Sequence, residues 1–244
     1  MKKLPFIPFL LFGINHLAQA AVVLDFGINS PTSGLINYAG NQQPNPLVGT
    51  SIQVDNLTGT GTPLNSAQTV ACNSCLLNFI TGNLTQYRYD SSSGQETYDF
   101  LSGGTFNITG AMSFTGNTGG ANGLSADSTL VNGSFIQAKV ISYNTGYFNF
   151  EIAQGTISDQ INSEILKYFD LPQTTTFNGG INLSFSAIHS ASNAFTTTGG
   201  GYIGSGDIIN QPVTTVPIPP AFLLLSSSMI ALFALGGYRT KARI

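Results

Sequence analysis

Between residues 21 and 210 the chain alternates apolar and polar side chains with a period of two. Phe106, Ile108, Met112 and Phe114 alternate with Thr105, Asn107, Thr109, Ser113 and Thr115 over 105–115. Phe148, Phe150 and Ile152 alternate with Tyr147, Asn149 and Glu151, and Ile181, Leu183 and Phe185 with Asn182, Ser184 and Ser186. Ile52 and Val54 do the same among Ser51, Gln53 and Asp55. Successive side chains of a strand point to opposite faces, so this pattern predicts antiparallel strands with one buried face. Turn chemistry at Asn117-Thr118-Gly119-Gly120, Asn144-Thr145-Gly146 and Asn178-Gly179-Gly180 predicts breaks between them. The expected fold is all-β: an antiparallel β-sandwich or jelly-roll-like body over 21–211. One segment has a different period. Ile161, Ile165, Leu166 and Phe169 share a helical face within Ser158–Leu171, with Thr156 or Ser158 to cap it and Pro172 to stop it. A short helix closing one end of the sandwich is expected there.

The two ends follow another logic. Lys2 and Lys3 precede an apolar run from Leu4 to Ile14, and Ala18-Gln19-Ala20 provides small residues around a cleavage position. Residues 1–20 therefore predict a secretory signal peptide cut after Ala20 by signal peptidase, with Ala18 and Ala20 as its recognition residues. At the other end, 221–237 hold no charge and are followed by Arg239, Lys241 and Arg243. As a helix this run would span roughly 26 Å at ~1.5 Å per residue, just enough for a hydrocarbon core of ~30 Å. The cations would stay on the cytoplasmic side, so a transmembrane helix over 221–237 would leave the body outside.

The tail as a whole, 212–244, resembles the PEP-CTERM sorting signal. The resemblance rests on Val216-Pro217-Ile218-Pro219, the apolar run that follows, and the basic cluster Arg239, Lys241 and Arg243. Ile218 stands where the family's name-giving glutamate usually stands. The resemblance implies processing by an exosortase, a membrane-embedded cysteine protease. It also implies a setting in which bacteria make exopolysaccharide. It carries no activity for the body.

Charge and composition narrow the chemistry. Only 8% of the 244 residues are charged. Between the ends, Arg88, Lys139 and Lys167 face all eleven carboxylates, a net charge of −8. Phosphate binding needs cations to replace counterions, so nucleic acid is not an expected partner. Cys72-Asn73-Ser74-Cys75 lacks the following histidine of a c-type haem site, since Leu76 stands there, and lacks the further ligands of a zinc site. A Cys72–Cys75 disulfide in an oxidising compartment remains. Gly199-Gly200-Gly201-Tyr202-Ile203-Gly204 fits the dinucleotide fingerprint in letters but has no helix after it, and predicts a loop. Asp90 to Glu96 reads as a solvated hairpin tip whose spacing matches no calcium loop. His189 has no nucleophile elbow to serve. No cofactor, metal site or catalytic residue is expected, and no enzymatic activity.

The expected function is a structural or adhesive protein of the cell surface or extracellular matrix, held briefly in the inner membrane by its tail and associated with exopolysaccharide or biofilm. A carbohydrate-binding module is the alternative, with Tyr87, Tyr89 and Tyr98 as exposed rings able to stack on sugars. A secreted hydrolase of polysaccharide, using a carboxylate pair, is the remaining reading.

Overall fold

The computed structural model describes residues 21–40, 45–143 and 147–213, with backbone alone for 151–158 and 191. Contacts divide the chain after Pro212 into two compact units, of which the β body is the first. The signal peptide 1–20, the Asn144–Gly146 turn and the tail from 214 onward, with the apolar run 221–237, lie outside the described residues.

Strands occupy most of the body, and every pairing among them is antiparallel. They are β1 (Val23–Ile28), β2 (Leu35–Tyr38), β3 (Pro46–Thr60), β4 (Thr69–Asp90), β5 (Gln95–Phe100), β6 (Thr105–Met112) and β7 (Thr129–Phe135). Then come β8 (Ala138–Tyr143), β9 (Tyr147–Ile161), the helix α1 (Ser163–Tyr168), β10 (Phe177–Ser186), β11 (Ile188–His189), β12 (Phe195–Thr196) and β13 (Tyr202–Pro212). The pairing closes on itself. From β3 it runs through β1, β13, β10, β9, β7, β6 and β4, and β4 pairs back onto β3. The sandwich-like body is thus a closed sheet whose two halves belong to one continuous ladder. Closure leaves few strand edges open to other chains.

The long strands make the closure possible. One stretch of β4 pairs with β6 from Cys72 to Ile80, and the next with β5 from Leu84 to Asp90. In the same way β9 pairs with β8 near Tyr147 and with β7 near Ile161. The pairs β5–β8 and β6–β7 therefore lie one after the other between β4 and β9.

The alternation read from the sequence sets the inside. Ile108 is fully buried between Leu77 of β4 and Val131 of β7. Asn107 stands on the other face between Asn78 and Asn132. Aromatic rings fill much of the interior. Phe79 stacks on Phe150 at 4.8 Å and Phe106 on Phe135 at 5.6 Å. Toward β12, Phe195 packs against Tyr38, Tyr98, Phe148 and Phe185. Gly49 lets the Phe79 ring lie flat on β3, because a Cβ there would run into the ring.

Three expectations need correction. The helix is shorter than Ser158–Leu171: residues 158–161 end β9, and Asn162 is the cap, its Oδ1 accepting from the Glu164 N–H at 2.9 Å. Thr156 and Ser158 cap nothing, since both lie in the strand. The helix still plugs an end, burying Ile165, Leu166 and Tyr168, with Tyr168 stacked on Phe114 at 4.6 Å. Asn178-Gly179-Gly180 is no turn but the start of β10. The strand expected over 105–115 ends at Met112.

Candidate functional site

The expected sorting residues, Ala18, Ala20, Val216, Pro217, Ile218, Pro219, Arg239, Lys241 and Arg243, lie outside the described residues. The structure joins Cys72 and Cys75 in a disulfide across a Cα–Cα distance of 5.6 Å. The bridge sits where β4 shifts register between Asn73 and Leu76, so it ties a bulge. Gly110 on β6 makes room for it: a Cβ there would lie 2.5 Å from the Cys75 sulfur.

At the end of the body formed by the β4–β5 hairpin and β11–β12, a polar cluster gathers around Glu96. The Tyr87 hydroxyl donates to Glu96 Oε1 at 2.9 Å and the Tyr98 hydroxyl to Oε2 at 3.1 Å. His189 Nε2 faces Oε2 at 3.4 Å, and its ring packs on Phe148 at 5.0 Å. Burial first, and the Glu96 carboxylate second, push the Tyr87 hydroxyl up to about 12; the same causes push Tyr98 higher still. These tyrosines therefore stay protonated and act as donors. Both Glu96 oxygens are engaged, so the cluster latches β4, β5 and β11 together. Glu96 and Asp99, three apart on β5, project to opposite faces and form no acid pair across a common substrate.

The three rings expected to be exposed are sorted differently. Tyr98 is fully buried and belongs to the core; Tyr87 is half-buried; only Tyr89 is exposed. Tyr89 borders a shallow groove with Arg88, Asp90, Gln95 and Thr97. In the adjoining turn the Asp90 carboxylate accepts from the Ser92 N–H and from the Ser92 and Ser93 hydroxyls. Those bonds hold it down at about 2. They occupy the oxygens a cation would need, and the described residues contain no group of three or more metal-ligating side chains.

A different set of tyrosines stands outward. Tyr143 on β8 lies opposite Tyr147 on β9, Tyr147 opposite Ser186 on β10, and Ser186 opposite Tyr202 on β13. Directly paired residues share a face, and the residues beside them in sequence, Ser142, Phe148, Phe185 and Ile203, are buried. Tyr143, Tyr147 and Tyr202 are 46%, 50% and 44% exposed. Tyr202 donates its hydroxyl to that of Tyr147 at 3.4 Å, with the rings near perpendicular at 82° and 6.5 Å apart. This row was legible in part: Tyr147 falls on the polar side of the alternation, and the Asn144–Gly146 turn signal sets Tyr143 opposite it. The dinucleotide-like stretch contributes Tyr202, which opens β13, so the expected loop ends at Gly201.

Inside the sheet, Asp159 is 2% exposed and neither carboxyl oxygen has a partner. It occupies space left by Gly133 and Gly179, where added Cβ atoms would clash with its oxygens. Burial pushes it up to about 7. Asn210, fully buried beyond Gly179, also leaves its Oδ1 unpaired. On the outer face, burial raises Asp25 and Asp207, and Asp207 adds to the effect on Asp25.

Among the described residues no helix is long and apolar enough to cross a membrane. The chain matches no protein-family model, no curated protein and no solved structure.

Proposed function

We propose that this chain is an exported structural or adhesive component of the cell surface or extracellular matrix. In this reading signal peptidase cuts after Ala20. The PEP-CTERM-like tail then holds the body at the outer face of the inner membrane until an exosortase-type protease processes it. The order of leader, β body, Pro217-Ile218-Pro219, apolar run and terminal cations supports the route.

The observation that carries the adhesive role is the outer surface. Asn78, Asn107, Asn132 and Gln160 stand side by side across β4, β6, β7 and β9. Amides both donate and accept hydrogen bonds without carrying charge. A row of them suits contact with hydroxyl-rich neutral material better than with ions or lipid.

An epitope tag after Ile244 tests the route. Expressed in the native host, the tag is expected to separate from the body, and to stay attached when the exosortase gene is deleted. Tag and body remaining one membrane-bound band in both strains would make the tail an ordinary anchor.

A further inference from the structure

We infer that the outward row Tyr143–Tyr147–Tyr202 is a binding site for a neutral polysaccharide chain. The inference deepens the proposed function by naming a partner, and rests on that reading only for where the protein meets it.

The row crosses β8, β9, β10 and β13, so its ends lie three strand spacings apart, about 14 Å. That length admits two or three pyranose rings laid across the strands. Tyrosine combines a flat apolar face with a polar tip. A pyranose has a C–H face that packs on such a ring and hydroxyls around its edge. The perpendicular setting of Tyr147 and Tyr202 makes a corner: one ring offers its face while the other closes the side. A long hydroxyl contact of 3.4 Å links the two ring tips. It also raises Tyr202 above its ordinary range, so Tyr202 stays a neutral donor.

The surroundings select the sugar. Ser186 sits between the two rings in the row. The next outward rung holds Ile141, Asn149 and Ser184, with Ser184 bonded to Ser205 of β13. None of these is charged. Charge on β8 first returns at Lys139, two rungs away from Tyr143 on the same face. Polyanions gain no cations here and meet a body of net negative charge. Binding of neutral chains then depends on ring stacking and hydroxyl bonds, not on ionic strength.

Affinity electrophoresis of the full chain in a sugar-free detergent provides the test, with hydroxyethylcellulose as the neutral probe and alginate as the polyanionic one. The wild-type chain is expected to be retarded by hydroxyethylcellulose alone, and equally at low and high salt. Tyr147→Ala and Tyr202→Ala are each expected to weaken retardation about tenfold or more. Tyr147→Phe and Tyr202→Phe, which keep the ring, should weaken it less than Ala does. Melting temperatures within a few degrees of wild type show that the variants fold. Retardation by alginate alone, retention of full binding in both Ala variants, or no retardation by the neutral probe would overturn the inference. So would self-association that the Ala variants abolish, which would assign the row to a second copy. Because binding is read on purified protein, failure here is separate from failure of the sorting route.

Discussion

Asp159→Asn should remove a penalty that the fold carries at neutral and alkaline pH. Asp159 points inward from β9, opposite Gly133 on β7 and Phe177 on β10, and its oxygens lack partners. Its folded pKa of about 7 lies above the unfolded value of roughly 3.9. For a carboxyl raised in this way the folded state binds more protons between those values. Stability therefore falls as pH rises from about 4 to about 7, and stays low above that. Three units at about 1.36 kcal/mol each give a loss of about 4 kcal/mol as an upper figure. The asparagine side chain has the same shape and never ionises. Urea unfolding followed by tyrosine fluorescence, from pH 4 to 8, measures the difference. At pH 4 the two proteins should unfold at similar midpoints; at pH 8 the variant should be more stable by up to a few kcal/mol. Its own slope should be shallow but not zero, because Asp25 and Asp207 are raised in the same direction. A wild-type midpoint that is flat or rises over this window would show that burial does not raise Asp159.

Ile108→Asp is expected to destabilise the body by several kcal/mol, since it buries an unpaired charge between Leu77 and Val131. Asn107→Asp, on the outer face of the same strand, should stay within about 0.5 kcal/mol; equal melting temperatures would contradict the register. The Cys72→Ser/Cys75→Ser double variant should still fold, with a loss at or below about 2 kcal/mol, because a loop this short restricts the unfolded chain little; loss of the cooperative transition on heating would show otherwise.

Strand existence was legible wherever burial was one-sided. Ile108 and Phe150 point inward because their neighbours Asn107 and Asn149 prefer water, and local sequence records that preference. The apparent helical face starts before helix α1 because two structures contribute to it. Ile161 is the inward residue ending β9, while Ile165, Leu166 and Phe169 belong to the helix and its C-cap. Gly179 reads as a turn residue, yet its role is to leave room for Asp159 across the sheet, a partner twenty residues away. Tyr98 alternates with Thr97 and Asp99 and falls on the same side as Phe100, so its burial is written in the local pattern of β5, whereas the register shift between Leu84 and Gln86 on β4 is not. Closure was also out of reach. It depends on one stretch of β4, from Cys72 to Ile80, pairing with β3 on one side and β6 on the other, and pairings between segments so far apart in the chain leave no mark on the local pattern.

In the proposed route the body reaches the surface or matrix after processing at both ends. Intact-mass measurement of the protein recovered from the surface fraction of the native host tests it most directly. The expected species is a chain beginning at Ala21, lacking the apolar run 221–237, and two daltons heavier after reduction of Cys72–Cys75. A membrane-bound chain that retains Met1, or that extends to Ile244, would contradict it.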